Sequence, residues 1–563
     1  MRRAKIVATL GPASQTIEKI SELILAGMNV VRVNMSHGTY DGHALTISNV
    51  RKASKLVGKE VGILLDLQGP KIRVDKLPVN LILSNDEIWA LGSSKFKDAI
   101  PEFKEKYIPT IYEKLVDDSK VGGHILFDDG LLEAIVIEKL ENYIKIKVLV
   151  GGELKSNKGI NLPDIEVSAP SFTDKDKEDL LFGLQQGIDF VALSFVRRAA
   201  DILEVKYLLH ALKVNVPIIA KIEKPEAIDN MESIINVTDA IMIARGDMGV
   251  ELGNHLVPAV QKKLIALCNA TGTPVITATQ MLESMITNSR PTRAEASDVA
   301  NAVWDGTDAV MLSAETASGK YPIEAVQMMN SLILEAEKTP RERPLLRNMN
   351  LASLTSALQV AASLIAEKTN ARWIISVTET GDSCLKMTKF RPKTPVLGVS
   401  PSIGVIRKLN LYWGINPYYI ESAQGEDIAL LEKKIVQSLR LDKNIKNGDK
   451  VVFTRGDGKY FEHGMTHTVR VEIIKNLPQE QDRNTDQEQI QEVNFERGSI
   501  LLDTSLCASC QKCIAVCPHD IWIASNDDIR ETRINVVKAP NCAFDMQCVD
   551  VCPTGAIEIL PKI

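Results

Sequence analysis

Eight short apolar runs rich in β-branched residues punctuate residues 5–315, each followed by a helix-like segment. They are Lys5–Leu10, Val30–Met35, Val61–Gln68, Phe190–Phe195, Pro217–Glu223, Ala240–Asp247, Pro274–Thr279 and Ala309–Glu315. Most are separated by roughly 20 to 35 residues, the spacing of βα units. Eight such units predict an α/β fold built on a closed (β/α)8 TIM barrel rather than an open sheet. One interval breaks the rhythm. About 120 residues separate the third run from the fourth, far more than a connection needs. They contain strand-like text such as His124–Phe127 and Tyr143–Val150. This predicts a β-rich domain, a β-barrel lid over residues 74–164, inserted on the barrel's catalytic face.

The barrel is therefore expected over 1–73 and 165–344. A separate α/β domain is expected over 345–476, where Trp373–Val377, Pro395–Val399 and Lys450–Phe453 alternate with helical patterning. The polar, acidic, Gln-rich stretch 477–497 reads as a linker, and 498–563 as a small α+β domain. At 563 residues the chain is too long for one domain, and its formal net charge of −6 gives no reason to expect nucleic-acid or anionic-membrane binding. No apolar run approaches the roughly 20 residues that span a bilayer. A cytoplasmic location is the expectation. Of the 9 cysteines, Cys268 and Cys384 stand apart and are expected to be packed thiols; the rest fall between Cys507 and Cys552. That clustering indicates metal ligation rather than a disulfide framework.

Functional groups of a TIM barrel sit where strands end, and these ends are polar. The second run ends Arg32-Val33-Asn34-Met35-Ser36-His37 and the third continues Asp66-Leu67-Gln68-Gly69-Pro70-Lys71-Ile72-Arg73. The fifth ends at Lys221 and Glu223, the sixth at Gly246 and Asp247, the seventh at Thr279 and the eighth at Ser313 and Glu315. A single Lys/Glu pair at a strand end is more often a surface ion pair; several such ends together are not. Glu223 and Asp247 can reach one Mg²⁺ from adjacent strands. Lys221 adds a cation beside it, Arg32 and Arg73 add phosphate donors, and Thr279 and Ser313 add neutral hydroxyls. The collection suits phosphoryl transfer.

Residues 1–475 resemble the pyruvate kinase family, most specifically in Ala278–Met285 followed by Arg290–Glu295. Lys221–Glu223, Ala244–Asp247, Val31–Gly38 and Lys158–Pro163 add to the resemblance. It implies phosphoenolpyruvate and ADP/ATP as substrates, Mg²⁺ or Mn²⁺ as cofactor, and a homotetramer. Lys221 would stabilise the phosphoryl group in flight and the enolate left behind, and Glu223 and Asp247 would hold the divalent ion. Arg32 and Arg73 would contact phosphate, and Thr279 would orient the substrate carboxylate or assist protonation. Gly246 and Asp247 would offer backbone N–H groups to that carboxylate. Asp129 and Lys158 match lid positions facing nucleotide and metal, and His37 ends a strand where it can contact nucleotide.

Many members of that family need K⁺ and carry Glu where this sequence has Lys71. Leu67 also replaces a hydroxyl that could ligate K⁺, beside Asn34, Ser36 and Asp66. The pattern resembles the K⁺-independent branch, so activity without added K⁺ is expected. Thr378–Ser383 matches a loop where family members bind phosphorylated effectors; a plain strand-to-helix turn is an equal reading.

Cys507-x-x-Cys510-x-x-Cys513-x-x-x-Cys517-Pro518 has bacterial ferredoxin spacing, which structural zinc sites seldom use. The second run, Cys542-x-x-Asp545-x-x-Cys548-x-x-x-Cys552-Pro553, repeats it with Asp545 in place of a cysteine. Ile521–Ala524 and Arg533–Val537 flank a turn, as in a hairpin. The domain resembles a two-cluster ferredoxin. By that pattern Cys507, Cys510, Cys513 and Cys552 hold one [4Fe–4S] cluster. Cys542, Cys548 and Cys517 hold the second, which is [4Fe–4S] with aspartate ligation or [3Fe–4S]; the other reading is that Asp545 is no ligand and the second site is empty. The appended domain would serve electron transfer, redox sensing or docking to a redox partner.

Overall fold

A computed structural model of the chain describes residues 1–103, 105–163, 165, 167–339, 353–422, 428–441, 445–456, 468–474, 490–495, 498–503, 513, 522–524, 532–534, 549, 552 and 556–561. The chain divides into two compact units: Met1–Gly425 with Val451–Val471, and Glu426–Lys450 with Glu472–Ile563.

The first unit opens with β1 (Lys5–Thr9), β2 (Val30–Asn34) and β3 (Gly62–Asp66). The insertion supplies β4 (Leu81–Leu83), β5 (Ile88–Ser93), β6 (Tyr107–Thr110), β7 (His124–Phe127), β8 (Leu132–Lys139), β9 (Tyr143–Val150), β10 (Gly152–Leu154) and β11 (Ile160–Asn161). The first pattern then resumes with β12 (Phe190–Leu193), β13 (Ile218–Ile222), β14 (Ala240–Ala244), β15 (Val275–Ala278) and β16 (Ala309–Leu312). All eight expected barrel strands are present. They close in the order β1-β16-β15-β14-β13-β12-β3-β2, every pair parallel. β1, β3, β12, β13, β14, β15 and β16 are buried along their whole length, which is why their sequences run apolar without alternating. The helices lie outside, sharing a core that includes Leu23, Val50, Leu180, Ile234, Ile265 and Met329.

The insertion is β-rich. Where the sequence points to a β-barrel, its strands form a six-stranded sheet, β11-β7-β8-β9-β5-β6, and a two-stranded ribbon, β10-β4. Its core is its own, with Trp89, Phe127, Ile144, Ile146 and Leu154 among its members. β9 shows the cause: Ile144, Ile146 and Val148 are buried while Tyr143, Lys145 and Lys147 are only partly so, the period of a one-sided sheet.

Beyond the barrel, β17 (Trp373–Val377), β18 (Val396–Ser400), β19 (Ile415–Tyr419), β20 (Lys450–Arg455) and β21 (Thr468–Ile473) make a five-stranded sheet, β19-β18-β17-β20-β21. The expected α/β domain is thus present, with β17 to β20 parallel.

The second unit contains β22 (Ile490–Phe495), β23 (Gly498–Asp503), β24 (Trp522–Ala524), β25 (Thr532–Ile534) and β26 (Ile557–Pro561). The sequence reading placed 490–495 in the linker 477–497, and the structure corrects this: β22 pairs antiparallel with β23, which in turn pairs with β26. Ile490, Val493 and Phe495 supply apolar positions between Gln491, Glu492 and Asn494; the acidic composition hid them. β24 and β25 pair antiparallel, Trp522 opposite Ile534, as the hairpin reading requires. Cys507, Cys510, Cys517, Cys542, Asp545 and Cys548 lie outside the described residues; Cys513 is buried and Cys552 half-buried. Among the described residues, no helix is long and apolar enough to cross a membrane.

Candidate active site

The C-terminal ends of β2, β3, β12, β13 and β14 assemble one cluster of charge. Lys221, the penultimate residue of β13, is buried. Its ammonium donates to Ser194 Oγ at 2.6 Å and lies 3.0 Å from Glu223 Oε1 and 3.3 Å from Asp66 Oδ1. Asp66 ends β3 and is fully buried; its Oδ2 accepts from Arg32 Nε at 2.6 Å, and Arg32 Nη1 donates to Thr9 Oγ1 at 3.1 Å. Ser194 donates its own proton to the Leu67 carbonyl at 2.7 Å, so its lone pairs face the ammonium. Hydroxyls at the ends of the first and fourth runs, Thr9 and Ser194, therefore belong to this network. Sequence reasoning passed over both; the available signal was a polar residue closing each run.

The electrostatics follow from burial. Burial alone would push the Asp66 carboxyl up, but Lys221 and Arg32 outweigh it and hold it below the ordinary carboxylate range. Burial would lower the Lys221 pKa, yet Asp66 and Glu223 raise it above the usual lysine value, so it stays charged. Burial pushes the Glu223 carboxyl up and the charge of Asp247 adds to this, against the pull of Lys221. Glu223 Oε2 accepts from the Phe195 backbone N–H at 2.8 Å, while Oε1 is buried and faces the Lys221 ammonium.

Lys71 and Arg73 reach the site from the turn after β3. Gly69 has φ of +70°, and a Cβ there would meet Phe195 and Ser194 side-chain atoms at 2.8 and 2.9 Å; only glycine fits. Its N–H donates to Asp176 Oδ1 at 3.0 Å, which ties the turn to the capped start of helix Asp174–Gln185. The Lys71 Nζ lies 3.4 Å from Asp247 Oδ1 and 3.6 Å from Asp129 Oδ1 of the lid. Asp66 is already neutralised by Arg32 and Lys221, leaving the more exposed pair to draw the lysine. Asn34 Oδ1 accepts from the Ser36 N–H at 3.2 Å. Arg73 is bridged to Gly159 and donates to the Asn157 carbonyl at 2.9 Å, towards the lid. Burial and the charges of Arg73, Arg32 and Lys71 lower the pKa of His37, which keeps it neutral near pH 7. Lys158 pairs with Asp128 at 2.7 Å, and Asp129 is exposed.

On the next two strands, Asp247 lies in the first turn of helix Arg245–Leu252, where the Gly246 N–H was expected to be open to a carboxylate. That N–H donates to Thr279 Oγ1 at 2.7 Å, and Thr279 donates to the Ala278 carbonyl at 2.6 Å. Thr279 and Gln280 have φ of +69° and +54°, a conformation costing about 1 kcal/mol or more per residue outside glycine. Arg245 holds them: it donates to the Thr279 carbonyl at 2.9 Å and pairs with Asp298 at 2.7 Å. Downstream, Thr292 and Glu295 form a capping box whose carboxylate also accepts from the Ser284 N–H at 2.7 Å. Ser313 Oγ is buried without a hydrogen-bond partner among the described residues, and its N–H donates to Glu315 Oε2 at 2.6 Å.

Comparison with known proteins matches this architecture throughout. Residues 1–326 match the family described as pyruvate kinase, barrel domain, and residues 356–472 match pyruvate kinase, alpha/beta domain. Residues 499–553 match the 4Fe-4S dicluster domain. Similar curated proteins include pyruvate kinase from Staphylococcus epidermidis, 42% identical over 479 residues that cover 84% of this chain and 81% of that protein. Pyruvate kinase 2 from Synechocystis sp. is 45% identical over 481 residues, covering 84% of this chain and 80% of that protein. With its barrel, its α/β domain and most of its length matched, the chain belongs to the pyruvate kinase family.

Proposed function

We propose that the chain transfers a phosphoryl group from the enol oxygen of phosphoenolpyruvate to a β-phosphate oxygen of ADP, the enolate taking up a proton to give pyruvate. The observation that carries this reading is the buried Lys221 ammonium, held between Asp66 and Glu223 beside the Arg32 guanidinium. Lys221 faces the group in transfer and the developing enolate; Arg32 and Arg73 bind phosphate oxygens. Thr279 orients the substrate carboxylate and Ser313 supplies a hydroxyl at the same rim. The neutral His37, with Asp129 and Lys158 of the lid, lines the nucleotide side.

Glu223 and Asp247 fit a divalent cation. Glu223 Oε1 is buried against the Lys221 ammonium at 3.0 Å; burial raises the Glu223 carboxyl and the charge of Asp247 adds to this, and a cation between the two acids would offset both. When bound, Mg²⁺ or Mn²⁺ supplies charge neutralisation for phosphate and carboxylate oxygens.

Lys71 gives the rim a fixed positive charge, and Asp66 Oδ2 and the Leu67 carbonyl are already hydrogen-bonded within the protein, which supports turnover without K⁺. The domain division is that drawn from the sequence, with 490–495 moved from the linker to the terminal domain. That domain carries two iron–sulfur clusters on the cysteines and Asp545 named above, the chain assembles as a homotetramer, and it works in the cytoplasm. A coupled assay with phosphoenolpyruvate, ADP and Mg²⁺ tests the reaction; absence of turnover would remove it. Large stimulation by K⁺ over tetramethylammonium would remove the K⁺ reading alone.

A second reading rests on the 4Fe-4S match over 499–553: the terminal domain transfers electrons or docks a partner while the kinase works independently. Truncation after residue 477 then leaves turnover intact. If oxidising the clusters changes turnover instead, the domain is a sensor of the kinase.

A further inference from the structure

The lid touches the barrel's catalytic helix at several points. Besides Lys71, which links Asp129 to Asp247, a Cβ on Gly130 would sit 3.8 Å from Val250 of helix Arg245–Leu252. The third contact is buried. Asn161 lies on β11, paired with β7 in the lid sheet, and is only 5% exposed. Its Nδ2 donates to Glu251 Oε1 at 2.8 Å, and Lys224 Nζ lies 2.8 Å from the same oxygen.

The two barrel members of this triad are tied to the metal carboxylates. Lys224 directly follows Glu223. Glu251 lies one helical turn beyond Asp247, on the same face. The Lys224–Glu251 pair therefore links the residue after Glu223 to the helix that carries Asp247. Asn161 adds the lid to that link through an oxygen that a moving lid would have to release.

We propose that Asn161, Glu251 and Lys224 form a strap that couples lid position to the spacing of Glu223 and Asp247, with Asn161 a positioning residue for the divalent-ion site. The inference rests on the kinase reading of that site. Its logic is that of outer partners which orient metal ligands, where single substitutions cost about 10- to 100-fold in metal affinity.

Asn161→Ala is the decisive variant, because it removes one amide and leaves no buried charge unpaired. Mn²⁺ binding to the full chain, followed by EPR without nucleotide, should weaken about 10-fold, with the melting temperature close to wild type. Hydrogen exchange at the amides of 159–162 should accelerate in the same variant. Glu251→Gln, whose side-chain carbonyl still accepts from Asn161, should keep the slow exchange yet weaken Mn²⁺ binding. Mn²⁺ affinity of Asn161→Ala within twofold of wild type, or unchanged exchange at 159–162, would overturn the strap. A wild-type chain that binds Mn²⁺ but fails to turn over phosphoenolpyruvate would defeat the kinase reading, leaving the strap comparison legible.

Discussion

Replacing Lys221 by Met removes the ammonium that faces both Asp66 and Glu223. At an effective dielectric constant of about 20, separations of 3.3 and 3.0 Å correspond to attractions of about 5 and 5.5 kcal/mol. The full sum does not appear as lost stability, since one buried carboxyl takes up a proton once its counter-charge is gone. Breaking a buried pair in this way costs about 3–5 kcal/mol. The kinetic loss has a different origin. The ammonium faces charge that develops during transfer, and removing one such preorganised donor costs about 10²- to 10³-fold in kcat. A whole unit charge in a buried site places Lys221→Met at the upper end, about 10³-fold. The assay is pyruvate release coupled to lactate dehydrogenase at saturating phosphoenolpyruvate, ADP and Mg²⁺, with circular dichroism and thermal melting as controls. The variant should also lose Mg²⁺ affinity more steeply as pH falls, because its acids now hold protons that compete with the ion. A folded Lys221→Met enzyme with kcat within tenfold of wild type would refute the reasoning.

Other expectations rest on separate parts of the molecule. Lys5 is buried and donates to the Ile415 carbonyl at 2.5 Å; burial, with the charge of Arg2 adding to it against Glu337, lowers its pKa from 10.5 to about 7. Between those values the unfolded chain holds a proton that the folded chain lacks, so stability rises with pH across the window and the penalty, on the order of 5 kcal/mol, is fully present below it. Lys5→Met should therefore raise the melting temperature more at pH 6 than at pH 9.5, and a pH-independent difference would count against the account. Arg391, 9% exposed, pairs with Asp308 at 2.9 Å, donates to the Gly306 carbonyl at 3.0 Å and lies 4.7 Å from the centroid of the Trp413 ring. Arg391→Ala should cost about 3–5 kcal/mol by leaving Asp308 without that partner, read as lost thermal stability. Iron and sulfide analysis with EPR should find two clusters per chain, and one cluster would defeat the pairing drawn from the cysteine runs.

The barrel was legible because strands covered on both sides announce themselves as unbroken apolar runs, as in Ile218–Ile222 and Ala240–Ala244. The lid was legible through chain length and the alternation of β9. β22 was not, because its three apolar side chains are spaced among acids and amides whose average composition resembles a linker. Within the site, side chains at strand ends could be named from position alone, since the fold decides where they gather. Their partners could not. Lys71 and Asp247 are 176 residues apart, and only three-dimensional competition between Asp66 and the exposed acids decides which carboxylate the lysine meets. The same applies to Asn161 and Glu251, where an unremarkable lid amide acquires meaning from a helix 90 residues later.

The barrel's closure also bears on how the protein is made. β1 pairs with β2 on one side and with β16 on the other, Lys5 opposite Ala309. At about 5–20 residues per second a ribosome needs roughly 15 to 60 seconds to synthesise the intervening chain. Throughout that interval the first strand of the nascent chain has one edge with no native neighbour, flanked by Ile6, Val7 and Ala8. Unpaired apolar edges of this kind recruit other chains. Newborn copies therefore benefit from shielding until β16 leaves the exit tunnel, and heterologous expression should reward added chaperone, whereas slower translation prolongs the exposure.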